Sequence, residues 1–233
     1  EVRGCREGFR RARRLSPAFD GDRLAADLQR VDEAWWHRHA GPYHDGAWES
    51  VSLWAPRGDL AEQRSSGGAF AATPALDRVP AIAGVLDSFP HGRNRIRLMR
   101  LRPGGKILRH SDPLHTIDPR LVRLHVPVIT NPEVYFFVND VRVEMRPGEA
   151  WHVDVRFPHA VENRGSTPRV HLVMDLVRDP ALLPRRDEAN RAGASALYSP
   201  VPGAQLAKRR HLKRPSVVQA MGVEMAERQR RAA

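Results

Sequence analysis

The run Pro168 to Val177, P-R-V-H-L-V-M-D-L-V, alternates without interruption. Val170, Leu172, Met174 and Leu176 fall on one face, and Arg169, His171, Val173 and Asp175 on the other. A period of two is what an extended strand needs and what a helix cannot use. L-V-R-L-H-V-P-V repeats the pattern, with Val122, Leu124 and Val126 opposite Arg123 and His125. Strands are expected from Arg95 to Arg102, from Lys106 to Asp112, and at about 121–129, 133–138, 141–146, 149–155, 159–163 and 168–177. Pro103-Gly104-Gly105 and Asn139-Asp140 mark turns between them. Many short strands with Pro/Gly punctuation give a mainly β sandwich or closed barrel, not a strand-helix alternation.

The polar positions on these strands carry the chemistry. His110 and Asp112 are two residues apart, so an extended strand turns both toward one point. His159, from a later strand, would complete two imidazoles and one carboxylate, a set that suits non-haem Fe(II) with positions left open. Arg169 could grip a carboxylate through both arms of its guanidinium. A bare H-x-D is a weak signal, and the chain holds a rival in His152-Val153-Asp154. There the next histidine, His159, is only five positions past Asp154, too little chain to return from another strand. Polar residues lining a barrel wall are the plainer reading of that pair. On spacing alone, the iron reading and a structural one weigh equally.

Longer motifs separate them. The runs R-L-M-R-L-R-P-G-G-K-I-L-R-H-S-D, R-L-H-V-P-V, P-G-E-A-W-H-V-D-V-R-F-P-H-A-V-E-N and P-R-V-H-L-V-M-D occur in this order across about residues 90–180. In identity, order and spacing this stretch resembles the aspartyl/asparaginyl β-hydroxylase family, with a weaker echo in Y-H-D-G-A-W-E-S-V-S-L-W (residues 43–54). The resemblance implies a double-stranded β-helix (a jelly-roll or cupin-like barrel) and Fe(II)/2-oxoglutarate-dependent oxygenase chemistry. It places His110, Asp112 and His159 on the metal and Arg169 on the distal carboxylate of 2-oxoglutarate. Arg123 and His125 fall near the co-substrate. The carboxylate at Asp112 is kept in the family's bacterial members, which include hydroxylases of free amino acids. Met99 stands where some members have a serine, which removes a second contact to the co-substrate.

Composition sets the outer limits. The chain of 233 residues has a formal net charge of +11, carried almost wholly by arginine. The basic runs 10–14, 208–214 and 228–231 lie toward the ends and lack interleaved aromatics, so solvated surface is favoured over nucleic-acid binding. No apolar run approaches the eighteen or so residues of a membrane span. The single cysteine, Cys5, allows no intrachain disulfide, which points to a reducing cytoplasm.

The expected organisation has three parts: residues 1–89, helical and loop segments packing on the barrel; 90–180, the catalytic core; and 181–233, a helical extension. Residues 1–19 are loosely patterned. A helix is expected from Asp20 or Asp22 to Trp36, on the spacing of Leu24, Leu28, Val31 and Trp35. A strand is expected over Ala47–Leu53, a loop or lid over Arg57–Thr73, and a short helix from Pro80. A C-terminal helix after Ser216, with Val217, Val218, Met221 and Met225 on one stripe, would pack on the barrel or form a homodimer contact.

The function expected is hydroxylation of an aliphatic C–H of an amino acid or amino-acid-derived substrate, free, peptide-bound or carrier-bound. Fe(II), 2-oxoglutarate and O2 are consumed or required, and succinate and CO2 are co-products. Trp48 and His44 are the candidate substrate contacts. Desaturation or cyclisation at the same iron, or a non-catalytic cupin-like binding protein, are the alternatives.

Overall fold

The computed structural model describes residues 11–64, 68–89, 92–112 and 120–177, all within one compact unit. Twelve strands and two α-helices occur among them. They are β1 (Ala12–Ala18), β2 (His37–Arg38), β3 (Trp48–Pro56), β4 (Phe70–Ala72), β5 (Arg93–Leu101), β6 (Lys106–His110), β7 (Leu121–Ile129), β8 (Val134–Val138), β9 (Val141–Arg142), β10 (Glu149–Val153), β11 (His159–Asn163) and β12 (Arg169–Val177). The helices are α1 (Gly21–Leu28) and α2 (Pro80–Asp87). An eight-stranded sheet runs β1-β10-β7-β12-β5-β3-β2, with β4 also on β3, and a four-stranded sheet runs β6-β11-β8-β9. All the strand pairings are antiparallel. The fold is mainly β, as the alternating strands call for, and is the double-stranded β-helix barrel that the resemblance implies.

The large sheet is covered on both faces, which is why β7 and β12 are buried almost end to end. On the outer face Val51, Leu53, Ile96, Leu98, Leu124, Val126, Leu172 and Met174 pack with Leu24 of α1 and Ile82, Val85 and Leu86 of α2. Between the sheets lie Met99, Leu101, Ile107, Phe136, Val138, Trp151, Val153 and Val173. Truncating a core position such as Leu124 or Leu172 to alanine is expected to cost about 2–5 kcal/mol.

Two local details fix the helices. Asp20 caps α1, its carboxylate accepting from the N–H groups of Asp22 and Arg23. Val79, before α2, offers no side-chain cap; instead Asp27 of α1, buried, accepts the Ile82 N–H at 2.9 Å. One helix therefore caps the other.

The structure departs from the sequence reading in four places. The helix expected to reach Trp36 stops at Leu28, because Asp32 caps a separate 3-10 turn, Glu33–Trp35, by accepting from the Ala34 N–H. Residues 12–18 are a strand on the edge of the large sheet, paired with β10. The strand expected over 141–146 is ordered as such only at Val141–Arg142. Within 57–73, β4 pairs with β3, and the carbonyls of Glu62 and Gln63 take hydrogen bonds from Ser52 and Arg95. Residues 65–67 of the expected lid, together with Cys5, the residues 181–233 and the C-terminal helix with its homodimer contact, lie outside the described residues. The turn at Asn139-Asp140 is as expected: both residues have positive φ, 50° and 66°, the conformation of a tight hairpin.

Candidate metal centre and its surroundings

His110 ends β6 and His159 begins β11, and the two are direct partners across that antiparallel pair. Each ring is fixed in the same way. His110 Nδ1 donates to the Leu108 carbonyl at 2.7 Å, and His159 Nδ1 donates to the Phe157 carbonyl at 3.0 Å. In both, the second residue upstream holds Nδ1, so Nε2 is left as the lone-pair nitrogen a metal needs. Asp112 follows β6, held by its own N–H to the Val155 carbonyl. Its Oδ1 lies 3.4 Å from His110 Nε2 and 3.9 Å from His159 Nε2. The three donor atoms fall within 4.8 Å of one another, the one such grouping found among the described residues. Tyr43 stacks flat on His110, with centroids 4.8 Å apart.

Electrostatics keep these donors ready for a cation. Burial, with the neighbouring His110, pushes His159 down to about 4, so its imidazole is neutral at physiological pH. Burial alone would raise the Asp112 carboxyl; Arg123, then His110 and His159, outweigh it and hold it well below the usual carboxylate range. Two imidazoles and one carboxylate fit a divalent iron and leave further coordination positions free.

Arg123 makes this possible. It reaches Asp112 Oδ2 with one nitrogen and grips Asp175 with two others. The guanidinium expected beside the co-substrate is thus committed to two carboxylates, and Oδ1 of Asp112 is the oxygen that faces the metal position.

Arg169 lies on β12 on the inner face. It is 2% exposed, its Nε has no acceptor, and one Nη2 contact goes to His171 Nδ1 at 2.8 Å. Burial lowers its pKa to about 9. A buried cation without an anion has room for a carboxylate. His125 closes the wall behind it, its Nδ1 3.3 Å from His171 Nδ1 and its Nε2 without a partner. Burial drives both of these histidines well below their ordinary value, with Arg169 adding to it. Trp48, Met99, Phe136 and Val173 line the same cavity as His110, His159, Arg123, His125 and Arg169.

The weaker candidates sort out plainly. Trp48 lies in that cavity and packs against His39 at 3.7 Å. His44 turns Nε2 to the His39 carbonyl and takes the Gly46 N–H on Nδ1, so both nitrogens close its own loop. Met99 sits inside the barrel beside His171 and Ser50. The rival pair does not line the inner wall. His152 pairs with Leu124, on the helix-covered face, and Asp154 is taken by Arg156 through two bonds of 2.7 Å. Sequence reading missed Tyr43, Arg95 and Arg97. The first two arginine signals were present in R-N-R-I-R-L-M, where charge alternates with Ile96 and Leu98.

A family model described as aspartyl/asparaginyl β-hydroxylase matches residues 21–179. An L-proline cis-4-hydroxylase of Rhizobium meliloti (strain 1021) is 30% identical over 161 residues, 67% of this chain and 57% of that protein. An L-proline cis-3-hydroxylase of Streptomyces is 24% identical over 196 residues, 78% of this chain and 64% of that protein. The chain thus spans less than two thirds of the length of either relative. Among solved structures, an oxidoreductase of the 2OG-Fe(II) oxygenase family from Burkholderia pseudomallei is 15% identical, covers 72% of this chain and 86% of its own, and gives a TM-score of 0.46. With the family model covering more than half of its length, the chain belongs to the aspartyl/asparaginyl β-hydroxylase family.

Proposed function

We propose that this chain is a Fe(II)- and 2-oxoglutarate-dependent hydroxylase acting on an aliphatic C–H of an amino acid or an amino-acid-derived substrate. The observation that carries the reading is the convergence of His110, Asp112 and His159 beside a cavity lined by His110, His159 and the guanidinium of Arg169, which has no ion pair among the described residues. The two relatives named as proline hydroxylases support an amino acid as the substrate class.

His110, Asp112 and His159 would hold the metal, and Arg169 would take the far carboxylate of 2-oxoglutarate. When bound, Fe(II) with 2-oxoglutarate and O2 supplies the oxidant for C–H hydroxylation, with succinate and CO2 as co-products. The chain's own part is positioning. Arg123 and Asp175 orient Asp112, the Leu108 and Phe157 carbonyls set the two rings, and Phe136, Val161 and Val173 exclude water from the cavity. The catalytic core is taken as residues 90–180, with outer strands and helices from 1–89, in a cytoplasmic enzyme.

The test is succinate formation under O2 with Fe(II) and 2-oxoglutarate, across free L-amino acids and short peptides, for the wild type and for Asp112→Ala and Arg169→Ala. Substrate-dependent turnover lost in both variants is expected. A wild type that takes up no iron overturns the reading.

A further inference from the structure

A second cavity, of about 360 Å³, lies between the end of β7, the start of β8 and the segment 142–147 that leads into β10. The cavity at the metal end measures about 30 Å³. Pockets for small organic ligands begin at roughly 300 Å³, so the larger one has room for such a molecule.

The two cavities share a wall. Phe136 of the smaller sheet lines both, and the Arg169 guanidinium lies 5.7 Å from the centre of its ring. His171 of the large sheet lines the second cavity, and its Nδ1 takes a hydrogen bond from Arg169 Nη2 at 2.8 Å. Phe136 and His171 are therefore the partition between this cavity and the arginine assigned to the co-substrate.

The floor of the cavity offers one donor. A guanidinium can only donate, so His171 Nδ1 must accept, and the neutral ring keeps its proton on Nε2. Burial, with Arg169 adding to it, holds the ring neutral. That N–H has no acceptor among the described residues.

The rim offers more. Arg142 has a buried Nε without an acceptor. Its Nη2 donates to the Pro132 carbonyl at 3.1 Å, its guanidinium lies over Tyr135, and the exposed carboxylate of Glu144 is 3.5 Å away. Arg146, exposed on the same rim, has a guanidinium with no acceptor among the described residues. Two arginines against one glutamate leave the rim positive. Between rim and floor, Val134, Val143 and Met145 make the cavity apolar. A donor at each end of an apolar waist matches a short chain charged at both ends.

We propose that this cavity is a second carboxylate site, taking a small dicarboxylate dianion of the size of 2-oxoglutarate or succinate. One carboxylate accepts from His171 Nε2, and the other meets Arg142 and Arg146. The choice of a dicarboxylate rests on the hydroxylase reading above, in which one such acid is consumed and another released across the partition. An amino-acid zwitterion, with no net charge, gains less from a cationic rim.

The experiment is equilibrium dialysis of radiolabelled succinate, 2-oxoglutarate and L-proline, each in turn, against the Fe(II)-loaded protein without oxygen. The charge-transfer absorption of the 2-oxoglutarate complex reads the metal end in the same samples. Wild type should bind two dicarboxylates per chain. Arg146→Ala and Arg142→Met should each weaken one of them by about 10-fold, the loss of a charge-assisted hydrogen bond at a partly exposed site. Val134→Phe, which fills the cavity, should remove it. All three should leave the charge-transfer titration unchanged, and Arg146, being exposed, can be lost without harm to the fold. One dicarboxylate per chain in the wild type, two undiminished in Arg146→Ala and Val134→Phe, or a second site that L-proline occupies as tightly as succinate would each overturn the proposal. A protein without charge-transfer absorption that still binds a dicarboxylate, weakened in Arg146→Ala, would overturn the hydroxylase reading and leave this site standing.

Discussion

Asp175 holds Arg123 by two hydrogen bonds, Nε to Oδ1 at 2.7 Å and Nη2 to Oδ2 at 3.0 Å, with both side chains buried. Neither residue donates to the metal, yet the pair aims Asp112. Asp175→Asn removes the anion between the half-buried Arg95 and the buried Arg123 and leaves two cations facing each other. Breaking a buried pair in this way is expected to cost about 3–5 kcal/mol of stability. Metal affinity should fall by about 10–100-fold, as loss of an outer partner does. Denaturant unfolding and Fe(II) titration of the same variant read both, and an unchanged metal affinity would show that Asp112 is held without this pair.

Arg169→Lys keeps the charge and loses the fork. Removing one charge-assisted hydrogen bond of about 1.5–3 kcal/mol corresponds to about 10–100-fold weaker 2-oxoglutarate binding, with amino-acid affinity unchanged. Titration of each ligand separately decides it; a loss confined to the amino acid would move the co-substrate elsewhere.

Stability of the metal-free protein should fall as the solution is acidified below about pH 6.5. His39 is pushed down to about 2 by burial and by Arg97, His159 to about 4, and His125 and His171 well below their ordinary value. Below the unfolded value near 6.5 the unfolded chain takes up protons that the folded chain refuses. The sign is therefore destabilising with acid, by at most about 1.4 kcal/mol per pH unit for each histidine. Urea midpoints at pH 7.5 and 5.5 test this, and equal midpoints would mean that the rings protonate freely in the native state.

Asn163 ends β11 fully buried. Its amide donates to the carbonyls of Leu101, Arg102 and Thr167, and its oxygen accepts from Asn131 and Gly165. Asn163→Ala should cost about 1–3 kcal/mol by leaving buried carbonyls unmet, with Fe(II) affinity held within about twofold. A thermal melt beside the same metal titration separates the two effects.

What the sequence revealed followed from covered faces. In β12 the apolar set Val170, Leu172, Met174 and the polar set Arg169, His171, Asp175 both turned out to be inside, the first under helices and the second under the smaller sheet. Alternation located the strand, while the family's motif order chose His110, Asp112 and His159 over His152 and Asp154. Arg95 and Arg97 stayed hidden because charge alternating with Ile96 and Leu98 is also how a solvated strand looks. Only the pairing of β6 with β11, far apart in sequence, reveals that this face is roofed. β1 was missed because A-R-R-L-S-P-A has little apolar alternation and gains its order from β10.

The two histidines proposed as ligands, His110 and His159, share one rung of one ladder, and each ring is tethered to the carbonyl two residues upstream. Their separation is thus set by the spacing between paired strands, which does not stretch. Asp112 lies beyond the end of β6, so it alone has slack. An ion of different radius would be met by movement of one carboxylate, so the site's choice among divalent metals rests on how tightly Arg123 restrains it.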